Sequence, residues 1–115
     1  MYIFISGEVK DNRFIYNLPR RIEGSYNIAI TECIIFSKFN APFFLTLDIC
    51  NESIVNGDVV PILRRINTKI AEYNNPYFMK IVPNSFSKLE FSFLDKRLEY
   101  IDAVNFACTL WLTAS

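Results

Sequence analysis

Residues 26–36, YNIAITECIIF, carry the pattern that decides the fold. Most alternate positions hold large apolar side chains: Tyr26, Ile28, Ile30, Ile34 and Phe36. The positions between them hold a mixed set: Asn27, Ala29, Thr31, Cys33 and Ile35. Successive side chains of a β-strand point to opposite faces, so a period of two residues indicates a strand. We therefore predict a strand over 26–36, with the two sets on opposite faces.

The same period recurs along the chain. It is clear at 43–50, 88–93 and 104–113, and shorter apolar segments lie at 2–6, 13–18 and 77–82. Turn-forming residues separate these segments, at 10–12, 19, 23–24, 40–42, 56–57, 74–76 and 83–84. Seven or eight short strands at this spacing predict an all-β fold, either an antiparallel β-sandwich or a jelly roll. The length of 115 residues predicts one domain, 1–115.

The stretch 58–73 leaves two interpretations open. Apolar side chains recur there at helical spacing: Ile62, Leu63, Ile66, Ile70 and Tyr73. Pro61 suits a first helical turn, and Asp58 lies close enough to take part in capping. The stretch therefore predicts either one short helix in a mainly β fold or a strand that runs into a loop.

The charges of the chain give no overall field. Twelve basic residues balance twelve acidic ones, and the basic clusters are only pairs, Arg20-Arg21 and Arg64-Arg65. We therefore expect no nucleic acid as a partner. The N-terminus, Met1-Tyr-Ile-Phe-Ile, lacks the basic start and long apolar run of a signal peptide, and no run reaches the roughly 18 residues of a membrane span. We expect a protein that is neither secreted nor bound to a membrane.

The usual catalytic and cofactor-binding groups are missing from the sequence. The chain has no histidine, so it cannot form a Ser-His or Cys-His nucleophile pair, and its three glycines form no phosphate-binding loop. Cys33, Cys50 and Cys108 are far apart and lie in apolar segments, which predicts reduced, buried thiols and no metal site. We expect no enzyme activity and no cofactor.

Aromatic content points to contacts with other molecules. Eleven Phe, six Tyr and one Trp make up 16% of a small chain, and aromatic side chains are typical anchors of protein interfaces. An unusually aromatic core explains the same composition. Trp111, on the smaller-residue face of the last strand, suits a core, an interface or a ligand platform. The residues predicted for an interface are Trp111, Phe44, Tyr73, Tyr77, Arg64 and Arg65.

The order of short motifs resembles the jelly-roll structural proteins of Polinton/Maverick elements, adintoviruses and related DNA viruses of insects and other animals. The matching segments are NRFIYNLP at 12–19, IEG at 22–24, YNIAITE at 26–32, LDIC at 47–50, VNGD at 55–58, PILR at 61–64, LEFSFLD at 89–95 and CTLWL at 108–112. The resemblance implies a capsid, vertex or virion-surface subunit, made in the host cytoplasm or nucleus and located in the virion. It also implies self-assembly as a homotrimer, contacts with other virion proteins, and no catalytic residues.

Two other functions are compatible with the residues alone. A small β-sandwich that binds a protein or glycan through its loops would have the same composition. A carboxylate-dependent hydrolase would need acidic groups brought together, and the candidates are Glu32, Asp48 and Asp58.

Overall fold

The computed structural model describes residues 1–40 and 42–115. Ala41, in the turn predicted at 40–42, lies outside the described residues. The chain forms eleven strand segments in this part: β1 (Tyr2–Glu8), β2 (Arg13–Glu23), β3 (Tyr26–Ser37), β4 (Phe43–Leu47), β5 (Ser53–Val55), β6 (Asp58–Val60), β7 (Ile62–Ile66), β8 (Ile70–Glu72), β9 (Met79–Lys80), β10 (Ser85–Leu94) and β11 (Ala103–Ala114).

Nine of these strands form two antiparallel sheets that pack as a sandwich. Sheet A has the order β1-β11-β3-β8, with β9 also paired to β3, and sheet B has the order β2-β10-β4-β7. Most consecutive strands of the two sheets, such as β1 and β2 or β10 and β11, lie in opposite sheets. This winding is that of a jelly roll, and it confirms the predicted all-β antiparallel sandwich.

Tight turns connect some of the strands as the sequence predicts. Asn56 and Gly57 have φ of 50° and 88° and join β5 to β6 as a separate hairpin. Asp11 and Asn12 have φ of 51° and 64° and turn the chain between β1 and β2. Two successive residues with positive φ match the twist of antiparallel strands, and Asn, Asp and Gly tolerate that conformation best.

The structure has strands over 58–73, and no helix forms among its described residues. Leu45 pairs with Arg64 and the next residue, Thr46, pairs with Ile62, so Leu63 is an extra residue in β7. This bulge lets the adjacent Ile62 and Leu63 both be buried, together with Ile66. A bulged strand therefore produces the spacing that favoured a helix, and the helical interpretation is wrong.

A second bulge changes which face of β3 is buried. Thr109 pairs with Glu32 and Leu110 with Ile30, which leaves Thr31 as the extra residue. Before Thr31, Ile28 and Ile30 are buried; after it, the buried positions are Cys33 and Ile35. The predicted strand is confirmed, but the two faces exchange at the bulge, and Ile34 and Phe36 lie on the outside.

Aromatic rings from both sheets meet in the centre of the core. Phe106 of β11 lies 5.5 Å from Phe14, 5.4 Å from Phe91 and 5.0 Å from Phe93, measured between ring centroids. Phe14 belongs to β2, whereas Phe91 and Phe93 belong to β10, so these contacts join the two sheets. Edge-to-face and tilted pairs of this kind add to the burial of the rings themselves.

The cysteines are buried free thiols. Cys33 and Cys108 are cross-strand partners on β3 and β11, and Cys50 follows β4. Burial raises the pKa of all three thiols, that of Cys50 to about 12. A neutral buried thiol behaves as a small apolar side chain, as the sequence predicts.

Candidate interface on the outer face of sheet A

The side of sheet A that is turned away from sheet B is here called the outer face of sheet A. Cross-strand register places its side chains in four rows. The rows are Tyr2–Trp111–Ala29, Phe4–Thr109–Glu32–Glu72, Ser6–Ala107–Ile34–Ile70 and Glu8–Asn105–Phe36. Small side chains occupy the middle of the face, and large apolar ones stand on both sides of them.

Four aromatic rings form a continuous chain at one end of this face. The centroids of Phe4 and Tyr2 are 6.2 Å apart, those of Tyr2 and Trp111 5.7 Å, and those of Trp111 and Phe78 5.3 Å. Trp111 is half-buried between its neighbours, whereas Phe4 is 71% exposed. The aromatic chain is thus open to solvent along its length.

Exposed apolar side chains continue across the other end of the face. Phe36 on β3, Ile70 on β8 and Val104 on β11 are all more than half exposed, and Ile34 is exposed as well. In a regular strand Val104 would share a face with the buried Phe106. A register shift between Ala103 and Asn105 turns it outward instead.

Between the two apolar ends lies a depression of about 360 Å³. Ala107 and Thr109 line it, and Glu32 and Glu72 stand opposite each other at one side. Thr109 Oγ1 donates a hydrogen bond of 2.7 Å to Glu32 Oε1. The outer face of sheet A therefore has two carboxylates set in an apolar surround.

The outer face of sheet B differs in character. Its cross-strand partners include Arg13 opposite Ser92, which also pairs with Thr46. The Arg13 guanidinium lies 3.8 Å from the Glu90 carboxylate. Ile15, 50% exposed, is an isolated apolar side chain beside these polar groups. The apolar end of this face, with Phe44, Ile62 and Leu94, packs against Val55 and Val60 of the β5–β6 hairpin. The part of sheet B that is open to solvent is thus polar, whereas the exposed face of sheet A is rich in apolar side chains.

The predicted interface residues fall in three places. Trp111 lies on the outer face of sheet A. Phe44 and Arg65 are cross-strand partners on β4 and β7, next to the β5–β6 hairpin. Arg64, Tyr73 and Tyr77 form the third group, described next.

Arg64 lies at the edge of the sandwich near β7 and β8. Its guanidinium carbon is 3.6 Å from the centroid of the Tyr73 ring and 4.5 Å from that of Tyr77. Its Nη1 is buried and has no hydrogen-bond partner among the described residues. Burial raises the pKa of Tyr73 to about 12. The two rings hold the cation by stacking, so this group closes the edge of the sandwich.

Sequence reasoning missed most of the outer face of sheet A. Phe4 and Phe78 were not singled out, and Ile70 was noted only as part of the apolar spacing over 58–73. Ile34 and Phe36 were assigned to the same face as the buried Ile28 and Ile30. Period-two alternation carries no signal of a bulge. Beyond an unrecognised bulge, the alternation therefore assigns an apolar residue of the outer face to the buried face.

The three candidate carboxylates lie on different elements. Glu32 is on the outer face of sheet A, Asp48 follows β4, and Asp58 begins β6 in the hairpin. Asp48 Oδ1 accepts a hydrogen bond of 3.0 Å from the Glu90 N–H, and partial burial raises the pKa of this carboxyl. Over residues 1–40 and 42–115, no cluster of three acidic or sulfur side chains suits a metal ion. Those ranges also contain no helix long and apolar enough to cross a membrane.

Comparisons with known proteins add little. No protein-family model and no curated protein matches the chain. A solved structure of the Drosophila NLP core, described as giving insight into pentamer formation and histone binding, aligns over 100% of both chains with 8% identity and a TM-score of 0.38. A likeness at this level bears on neither the fold nor the function of this chain.

Proposed function

We propose that this protein is a non-enzymatic structural subunit that assembles with copies of itself through the outer face of sheet A. The observation that carries the proposal is the contrast between the two outer faces. A sheet that faces water on one side normally alternates apolar and polar residues, as sheet B does where the β5–β6 hairpin does not cover it. The outer face of sheet A instead carries exposed large apolar side chains at both of its ends, as expected of a face that a partner covers.

The size of the exposed patch supports the same proposal. Tyr2 is 54% exposed, Phe4 71%, Phe36 60% and Phe78 40%. With about 200 Å² for a whole aromatic side chain, these four alone present on the order of 400 Å². Adding Ile34, Ile70 and Val104 brings the patch to the upper end of what monomers expose, where such patches mark interaction sites.

The resemblance to jelly-roll proteins of DNA viruses supports the more specific role of a capsid, vertex or virion-surface subunit. The resemblance suggests three copies. In a closed ring of three, every subunit has its apolar face covered by a neighbour, and no interaction surface stays exposed. A covered face also explains why so aromatic a chain need not aggregate.

Mass in solution tests the proposal. The wild-type protein should have a defined oligomeric mass by light scattering at high micromolar concentration. Phe4→Ser should lower that mass, whereas Ile15→Ser, which removes a half-exposed apolar side chain from the polar outer face of sheet B, should not. A wild-type monomer at that concentration, or equal effects of the two variants, would overturn the proposal.

A second candidate function is recognition of a protein or glycan by the loops. A cleft of about 680 Å³, lined by Phe39, Phe44, Arg65 and Arg97 among others, favours it. This volume is within the range of ligand sites, and stacking rings with arginine suit a polar ligand. A monomeric wild type that binds a glycan on an array, and loses binding on Phe44→Ala, would favour this function over assembly.

A further inference from the structure

We propose that the subunits meet head to tail, with Arg20 and Arg21 of one copy seated against Glu32 and Glu72 of the next. This inference rests on the proposed function, in which a second copy covers the outer face of sheet A. The part of the second copy that lies on this face is the segment with Arg20 and Arg21. The two surfaces in contact are therefore different, as in any head-to-tail contact.

Glu32 and Glu72 form an uncompensated negative site. They are direct cross-strand partners on β3 and β8, and like charges in that position repel each other. Within the described residues, the ion pair that the structure contains is Arg13–Glu90, on the other sheet. The hydrogen bond from Thr109 orients Glu32 but adds no positive charge. The pair therefore lacks a cation that a neighbouring molecule could supply.

Arg20 and Arg21 form a protruding positive site. Ile22 pairs with Phe86 and Asn17 with Lys88, so residues 18–21 of β2 face a single residue of β10. These four residues must bulge out of the edge of sheet B, and Pro19 restricts their backbone. Both arginines are exposed, and Arg21 Nη1 donates a hydrogen bond of 2.9 Å to Ser85 Oγ.

The two sites lie at opposite edges of the sandwich. Glu72 is on β8, the last strand of sheet A, while β1 is the first. Arg20 and Pro19 line a depression together with Tyr2 and Phe4 of β1, so the basic bulge flanks the β1 edge. Three strand spacings, about 14 Å, separate β1 from β8. Each copy can thus offer its arginines at one edge and receive those of a neighbour near the other.

The glutamate pair also argues against a symmetric contact of two outer faces. In such a dimer the same patch meets itself, and a two-fold axis near the centre of the patch would bring four carboxylates together in a partly dry surround. Like charges placed together across an interface cost several kcal/mol. A head-to-tail contact avoids this repulsion, and it forms a ring when the rotation between subunits closes.

Charge reversal tests the inference in the full-length chain. Glu32→Lys with Glu72→Lys, and separately Arg20→Glu with Arg21→Glu, should each weaken assembly at least tenfold in light scattering and sedimentation. The variant with all four changes restores opposite charges at each contact, so it should recover most of the wild-type mass. Wild-type assembly should also weaken between low and high salt, because the contact is partly ionic.

A matched control is Lys96→Glu with Arg97→Glu, which makes the same change of charge at another exposed basic pair and should leave assembly intact. The head-to-tail contact is wrong if neither charge reversal changes the mass of the oligomer, or if the fourfold variant does not regain the wild-type mass. Either result leaves the proposal of self-assembly in place. If only the Lys96→Glu, Arg97→Glu variant loses assembly, the basic residues that contact the neighbouring copy are those of the cleft lined by Arg97, and the proposed role of Arg20 and Arg21 is wrong. A wild-type monomer overturns both proposals.

Discussion

Two phenylalanines on opposite sides of sheet A allow one chemical change to be made in two environments. Phe106 is 2% exposed and touches three other rings between the sheets, whereas Phe36, whose Cα pairs with that of the neighbouring Asn105, is 60% exposed on the outer face. If the inner face holds the fold and the outer face holds the assembly, alanine at each position should affect a different measurement.

The inner change should cost stability. Truncating a buried Phe to Ala costs about 3–5 kcal/mol, and three lost ring contacts at about 0.5–1.5 kcal/mol each place Phe106→Ala in the upper part of that range. For a chain of this size about 4 kcal/mol corresponds to a fall in melting temperature on the order of 15 °C. If Phe106→Ala does not fold, Phe106→Leu should give a smaller loss in the same direction.

The outer change should cost assembly. Covering 60% of an aromatic side chain buries about 120 Å², which at about 25 cal/mol per Å² is worth about 3 kcal/mol. Phe36→Ala should therefore weaken the contact about 100-fold. Its free energy of unfolding should change by less than about 1 kcal/mol at concentrations low enough to remove self-association.

Urea unfolding at submicromolar protein concentration measures the free energy of unfolding of the isolated subunit. Light scattering at high micromolar concentration measures the mass of the oligomer. The two faces do not have separate roles if Phe36→Ala destabilises the isolated subunit as much as Phe106→Ala, or if Phe36→Ala leaves the mass of the oligomer unchanged.

Three further predictions concern single sites. Gly57→Ala should lower the free energy of unfolding by about 1 kcal/mol in urea titration, because φ is 88° there although an added Cβ meets nothing within 4 Å; no loss would mean that the hairpin contributes nothing to stability. Burial raises the pKa of the Cys50 thiol from 9.0 to about 12, so the folded protein keeps this proton at a pH where the unfolded chain loses it. The contribution of this thiol to the free energy of unfolding is therefore complete below pH 9. It falls as pH rises towards 12, by at most about 1.4 kcal/mol per pH unit. Cys50→Ala should show a shallower fall between pH 8 and 10, and an equal slope would contradict the shift. Arg64→Ala should cost about 1–2 kcal/mol in thermal unfolding through lost stacking on Tyr73 and Tyr77, with Arg64→Lys recovering only part of it, and full recovery by lysine would contradict stacking as the cause.

Much of the fold could be predicted because local pattern and burial agree in most strands. In β10 the alternation of Leu89, Phe91 and Phe93 with polar neighbours matches the buried positions directly. The Asn56-Gly57 turn follows from the conformations these two residues tolerate. Such features depend on neighbours in sequence, so the sequence alone carries them.

Bulges set the limit of that reasoning. Pattern predicted a turn at Pro19, yet β2 continues through it and bulges outward. The extra residues at Thr31 and Leu63 depend on register with partner strands that are distant in sequence. A bulge of one residue exchanges the faces of everything beyond it, because the side-chain period is two.

The candidate interface depends on the same long-range information. Trp111 could be singled out as a large side chain among small ones. The sequence does not show that Arg20 and Arg21 lie in a bulge at the edge of sheet B. It also does not show that Glu32 pairs with Glu72, which is 40 residues away in the chain. The balance of charges over the whole chain conceals that Arg20-Arg21 and the Glu32–Glu72 pair lie towards opposite edges of the sandwich.

The single tryptophan of the chain reports directly on the proposed contact. Trp111 lies on the outer face of sheet A between Tyr2 and Phe78. Its fluorescence, excited selectively and followed from nanomolar to high micromolar protein, should shift to shorter wavelength and become less accessible to acrylamide as a second copy covers the face. Emission and quenching that stay constant over the whole concentration range would contradict burial of this face by assembly.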